Sequence, residues 1–264
     1  MAKLVMITGA SAGLGEQLAY AFARQQMRLL LLGRNRERLQ QVARQATKLT
    51  AAPVSILVGD LLDDNGQQAW RQCVAKCGVP DILVNNAALS GFGAVNDLSL
   101  AKAQTVLQLN ALVPLRLSQL FIQAHQRDER PSYLINIASA GAELALPYAA
   151  FHSASKAALL GFARGSQAEL QATQINLMTV LPSLMATGHF KQATLPYLKS
   201  NRMLVKLMTS IQLAPEKIAK KIVSSSLQGR QILRLPQGYQ WVARLNCLAP
   251  SLVRKIIALP YQTR

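Results

Sequence analysis

Apolar residues follow two rhythms along this chain. Short, nearly unbroken apolar runs at 4–7, 28–33, 54–58, 81–84, 133–139, 174–180 and 231–235 read as buried strands. A strand covered on both faces needs no polar alternate. Between them, apolar residues recur at helical spacing over 17–23, 37–49, from 65 onward, 97–109, 152–162 and 215–226. Strands alternating with helices predict an α/β fold: a Rossmann-like, doubly wound, mostly parallel sheet with right-handed crossovers, in a single domain over 1–264.

Two stretches break the rhythm. Residues 188–213 show no clear strand, and Met203, Leu204, Val205, Leu207 and Met208 are mixed with Lys199, Arg202 and Lys206. That mixture suits an amphipathic substrate lid, and equally a pair of packed helices. Beyond the last strand, Trp241, Leu245, Leu248, Leu252, Ile256 and Leu259 recur at helical spacing within a tail over 236–264, flanked by Arg244, Arg254 and Lys255. Such a tail can lie on an anionic bilayer, pack in a dimer interface or cap a pocket.

Charge sharpens that choice. The formal net charge is +17, and from 188 to 264 there are 13 Lys or Arg against one acid, Glu216, a net of +12. The surplus suits an anionic membrane surface or a phosphorylated ligand, or is simply a basic solvated face. Nucleic acid fits least, because no zinc-finger, RNA-motif or basic-zipper pattern accompanies the charge. Cys73, Cys77 and Cys247 are too few and too scattered for a disulfide framework or a zinc site, so no metal is expected. The first strand starts within a few residues of Met1, and no apolar run approaches a membrane span. A cytoplasmic chain is expected, with peripheral membrane attachment left open.

The chemistry begins where the first strand ends. Thr8-Gly9-Ala10-Ser11-Ala12-Gly13-Leu14-Gly15 is a glycine-rich turn opening a helix. There the backbone at Gly9, Gly13 and Leu14 can approach a diphosphate, Gly15 permits close packing, and Ser11 adds a hydroxyl; the helix N-terminus supplies N–H groups and a positive dipole. The second strand ends in Gly33-Arg34 with no acid. An acid there selects NAD by binding the ribose 2′-hydroxyl, whereas an arginine suits the 2′-phosphate of NADP. Arg34 therefore predicts NADP(H).

The spacing G-x-x-x-G-x-G, together with Asn85-Asn86-Ala87-Ala88, Ser139, His152-x-x-x-Lys156 and Pro182-Ser183-Leu184-Met185-Ala186-Thr187, resembles the short-chain dehydrogenase/reductase family over residues 1–190. The resemblance implies roles for the remaining candidates. Asp60 and Leu61 would face the adenine, Asn86 and Ala87 would line the coenzyme, and Asn110 would sit in a helix kink and anchor a proton relay. Pro114 would disturb the helical ladder at Asn110. Ser183 (in the place of the family's glycine), Leu184 and Thr187 would hold the nicotinamide carboxamide. Ser139 matches the family's catalytic serine and Lys156 its lysine, and Lys156 would also hold the nicotinamide ribose. A homodimer or homotetramer is implied as well.

Beyond the milder exchanges of glycine at Ala88 and Ser183, the chain departs from the family at the reaction centre. His152 stands where the proton-donating tyrosine is usual. A tyrosine (unperturbed pKa ~10) works beside a lysine that stabilises its phenolate, whereas imidazole (~6.5) ends nearer the backbone and is pushed toward neutrality by Lys156. Three outcomes are compatible with this exchange. His152 donates the proton; or Tyr148, four residues earlier and on the same helical side, supplies a phenol; or the protein is catalytically silent and binds NADP(H) in a regulatory or scaffold role. An active protein would interconvert a carbonyl and an alcohol on a small or lipid-like molecule.

Overall fold

The computed structural model describes residues 2–183, 185 and 212–258. In it the apolar runs are strands: β1 (Leu4–Thr8), β2 (Arg28–Gly33), β3 (Val54–Val58), β4 (Ile82–Asn85), β5 (Ser132–Ile137), β6 (Ile175–Pro182) and β7 (Ile232–Leu235). They form one sheet in the order β3-β2-β1-β4-β5-β6-β7, with every neighbouring pair parallel. The order reverses between β1 and β4, the switch point beside which open α/β sheets bind ligands.

Alternate strand residues feed two cores, because successive side chains point to opposite faces. Val5 and Ile7 of β1 join Leu18, Phe22, Leu39 and Ile218 on one face, under α1 (Gly13–Arg24), α2 (Arg36–Thr47) and α7 (Pro215–Ser226). Leu4 and Met6 join Trp70, Leu117 and Phe121 on the other, under α3 (Gln67–Cys77) and α5 (Val113–His125). The four leucines of β2 are each no more than 1% exposed. Each contributes about 2 kcal/mol of burial, which explains why this run has no polar alternate.

Local capping sets the helix starts. The Asn35 side chain accepts from the Arg38 N–H at 2.9 Å, so α2 begins at Arg36. The Ser99 hydroxyl accepts from the Lys102 N–H, so α4 (Leu100–Leu107) begins three residues later than the periodicity from 97 implies. Asn65 and Gly66 adopt φ of 55° and 81°, which delays α3 to Gln67. Between α4 and α5 the helix widens into a π-helical turn, Gln108–Leu112. Pro114 has no N–H to donate, and its ring crowds the carbonyl of Asn110; the wider turn accommodates both.

The continuous helical stretch Leu100–His125 corrects one expectation: it has the length and apolar character of a membrane span. Half of its most apolar 18-residue window is buried in the fold, where Leu117 and Phe121 fill the second core, as in a core helix. The tail forms α8 (Tyr239–Leu248) and α9 (Pro250–Ala258), which pack on Leu144 through Tyr239, Ala243 and Val253. The lid expected over 188–213 lies outside the described residues except at its end, where Leu213 forms a parallel bridge with Met185. Leu184, Thr187 and Leu259 also lie outside them.

Candidate active site

The loop after β1 is built by close approach. Gly9 has φ +66°, and a Cβ there would lie 2.8 Å from the Ala87 Cα. A Cβ on Gly15 would overlap the Gly9 carbonyl oxygen and lie 2.6 Å from Asn86 Nδ2. Gly15 therefore serves the contact between loop and β4 more than the packing of helix on strand. Asn86 clasps the loop: its Nδ2 donates to the carbonyls of Thr8 (3.0 Å) and Gly9 (3.2 Å). Thr8 Oγ1 accepts from the Asn86 and Ala87 N–H groups and donates to the Val84 carbonyl. Asn86 and Ala87 thus hold the loop in shape against the end of β4. No side chain caps the first turn of α1, leaving that turn's N–H groups for an anion. Ser11 sits beside Gly33, whose added Cβ would lie 3.5 Å from the Ser11 Oγ. Leu14 is buried in the first core, so only its backbone can serve a ligand.

At the ends of β2 and β3, Arg34 Nη1 lies 3.6 Å from Asp60 Oδ2, with side chains 64% and 34% exposed. The sequence motif treats these two residues separately; the parallel register brings them together. Asp60 also accepts from the Leu62 N–H. Leu61 is turned into the second core with Trp70, so its side chain is not presented to a ring as expected. A groove of about 490 Å³ shares Ser11 and Ala12 with the loop but runs between α1 and α2, away from Lys156.

The reaction centre assembles at the carboxyl end of β5. Ser139 caps a short 3-10 turn, Ala140–Ala142, its Oγ accepting from the Gly141 N–H at 3.1 Å. A Cβ built on Gly141 would lie 3.4 Å from Ser139 Oγ, 3.3 Å from Ser153 Oγ and 3.9 Å from His152 Cδ2. Three side chains thus converge on one point. His152 and Lys156 come from the first turns of α6 (Ala150–Leu170). The Lys156 ammonium is buried and donates to the Ile137 carbonyl at 2.9 Å; burial pushes its pKa down from 10.5 to about 8.

Tyr148 is not on that helix. It precedes the first turn with φ 58°, its carbonyl accepting from the Gly93 N–H, so helical spacing does not align it with His152. Asn110 lies inside the π turn, fully buried. Its side chain accepts from the Leu89 N–H, donates to the Leu89 carbonyl and donates to Ser155 Oγ at 3.2 Å. Ser155 in turn donates to the His152 carbonyl at 2.7 Å. The Ser183 N–H is taken by the Leu235 carbonyl, so it is not the group that holds a carboxamide.

Several contributors escape sequence reasoning. The Phe92 ring stacks on the His152 ring, centroids 5.4 Å apart at 25°. Ser153 Oγ is buried with no hydrogen-bond partner among the described residues. Glu143 receives two bonds from Arg234 (3.0 and 2.6 Å) and one from Tyr239 Oη (3.3 Å), while Arg164 lies 3.6 Å away. The one available signal for Glu143 is that it is the sole acid between Glu129 and Glu169.

Comparison with known proteins agrees with this architecture. A family model described as short chain dehydrogenase matches residues 3–197. A hydroxysteroid 11-beta-dehydrogenase 1-like protein B of Xenopus laevis is 30% identical over 263 residues, covering 97% of this chain and 85% of that protein. An 11-beta-hydroxysteroid dehydrogenase-like 4A of Arabidopsis thaliana is 28% identical over 253 residues, with 95% and 82% covered. The solved short-chain dehydrogenase from Sphingobium yanoikuyae, in complex with NADPH, superposes with TM-score 0.78 at 22% identity over 99% of this chain and 98% of that one.

Proposed function

The chain belongs to the short-chain dehydrogenase family, and from that premise we propose that it is an NADP(H)-dependent oxidoreductase interconverting a carbonyl and an alcohol on a small or lipid-like substrate. The observation that carries this is the convergence of Ser139 Oγ and the His152 ring beside Gly141, over a buried Lys156. The hydroxysteroid names of its relatives support a lipid-like substrate class.

The residues present fit the coenzyme: the loop lies so close to Asn86 and Ala87 that a Cβ at 9 or 15 would force it out of shape, and the first turn of α1 has no side-chain cap. Arg34 would bind the 2′-phosphate. Its exposed pair with Asp60 is worth about 0–1 kcal/mol, so it yields readily to a doubly charged phosphate. When bound, the coenzyme supplies or takes up the hydride. Ser139 Oγ already accepts from the Gly141 N–H, so its own proton is directed to the substrate oxygen. His152 gives that oxygen a proton in reduction and removes it in oxidation. Lys156, with its pKa lowered to about 8, exchanges protons near neutrality. Asn110 and Ser155 are positioning residues that fix the carbonyl of His152. A homodimer or homotetramer in the cytoplasm belongs to the same proposal; sedimentation and cell fractionation check it.

The test is NADPH oxidation by the purified protein against a panel of aldehydes and ketones. Turnover is expected with at least one, falling by about 10²–10⁴-fold in His152→Ala, the range that general acid–base catalysis commands. A wild type without turnover, beside a His152→Tyr variant that gains it, would show a silent coenzyme-binding protein instead.

A further inference from the structure

The tail helix α8 is apolar on two opposite faces. Tyr239 and Ala243 point inward and pack with Leu144, while Asn246 Nδ2 donates to the Glu143 carbonyl. Half a turn away, Trp241, Leu245 and Leu248 form an i, i+4, i+7 stripe that is 64%, 44% and 85% exposed. Leu252 and Ile256 of α9, 51% and 52% exposed, add apolar surface beside its inward Val253. A surface helix of a soluble protein turns its polar side outward, and along this stripe α8 does the reverse.

The surrounding charge identifies the occupant. Arg244, Arg254 and Lys255 flank the stripe, and no acid follows Glu216 anywhere in the chain. The Arg244 guanidinium lies over the Trp241 ring, 4.8 Å from its centroid, an aromatic–cation pair suited to a headgroup layer. A second copy of the chain would set these cations against each other, on a molecule already at +17. An anionic surface with an apolar interior satisfies both features at once.

We propose that α8 and α9 dock the protein on an anionic lipid bilayer, with Trp241, Leu245, Leu248, Leu252 and Ile256 inserted at the headgroup boundary. The helix that carries the stripe is tied to the reaction centre by its inner face: Tyr239 Oη donates to the carbonyl of Ala140, the residue after Ser139, at 3.0 Å. Docking through α8 would hold the Ser139 end of the sheet near the bilayer, where a lipid-like substrate is dissolved; that substrate clause alone rests on the oxidoreductase reading, and the docking stands without it.

The test uses the full-length protein and vesicles of phosphatidylcholine alone or with one part in three of phosphatidylglycerol. Co-sedimentation with the anionic vesicles is expected, with at least tenfold weaker binding to neutral vesicles and in high salt. Trp241 reports insertion, because the other tryptophan, Trp70, is 8% exposed. Its emission should shift to the blue and be quenched by lipids brominated near the headgroups. The exposed-site variant Leu248→Glu should keep the wild-type melting curve and bind at least tenfold more weakly. Absence of binding to anionic vesicles, equal binding by Leu248→Glu, or self-association that Leu248→Glu abolishes would each overturn the proposal. None of these readouts depends on turnover.

Discussion

Replacing Lys156 with methionine should stabilise the fold while abolishing turnover. The ammonium is fully buried, and desolvation lowers its pKa from 10.5 to about 8. At ~1.36 kcal/mol per tenfold change, keeping it protonated in the fold costs about 3 kcal/mol at neutral pH. Methionine, of similar shape, removes that cost but leaves the buried Ile137 carbonyl without its donor, a loss of about 2 kcal/mol. A net gain of about 1 kcal/mol is expected. The pH dependence is the sharper signature. The unfolded lysine holds its proton up to 10.5 and the folded one only to about 8. Between those values the unfolded chain binds more protons, so wild-type stability rises with pH; below the window the cost is complete, and above it the cost is gone. The advantage of the methionine variant should therefore shrink by about 1 kcal/mol between about pH 7 and about pH 9. Tyr20 and Cys73, both pushed up to about 12, act in the opposite sense, because their unfolded forms lose protons first. They are common to both proteins and cancel in the difference. Urea unfolding of the two proteins at each pH measures it. A gap that stays constant, or widens as pH rises, would refute a desolvated lysine at this position.

Gly15→Ala should weaken NADPH binding at least tenfold, about 1.4 kcal/mol, because the methyl meets the Gly9 carbonyl and the Asn86 amide; calorimetry giving an unchanged Kd would count against the loop as the coenzyme site. Arg34→Glu should lower the preference for NADPH over NADH by about 10–100-fold, the worth of a charged hydrogen bond, read as a ratio of dissociation constants; an unchanged ratio would remove Arg34 from 2′-phosphate binding. Glu143→Gln should cost about 2–3 kcal/mol in urea unfolding, since it strips the negative charge from beneath Arg234 and Tyr239 in a pocket where Glu143 is 11% exposed; unaltered stability would show that the pair adds nothing.

Much of the architecture was legible because strand and helix rhythms depend on near neighbours. Unbroken apolar runs such as the four leucines of β2 are too short for a buried helix and read as strands covered on both faces, and their alternation with helical segments leaves few topologies. The glycines at 9 and 15 and the spacing from His152 to Lys156 were readable for the same local reason. Even the disturbed helix at Asn110 followed from Pro114, four residues on.

Contacts across sequence distance were not readable. Arg34 meets Asp60 only because β2 and β3 are parallel and in register. Tyr148 looked aligned with His152 while both were assumed helical; a left-handed φ just before α6 separates them. Phe92 stacking on His152, the inward turn of Leu61 and the convergence of Ser139, His152 and Ser153 on Gly141 all depend on segments brought together by folding. The same holds for the tail, whose helical spacing was plain in the sequence, while only packing on Leu144 decided which apolar face is spent inside and which is left outside. Local pattern is set by the backbone's own period, whereas a site is set by distances between strands, and the chain encodes those only through the fold as a whole.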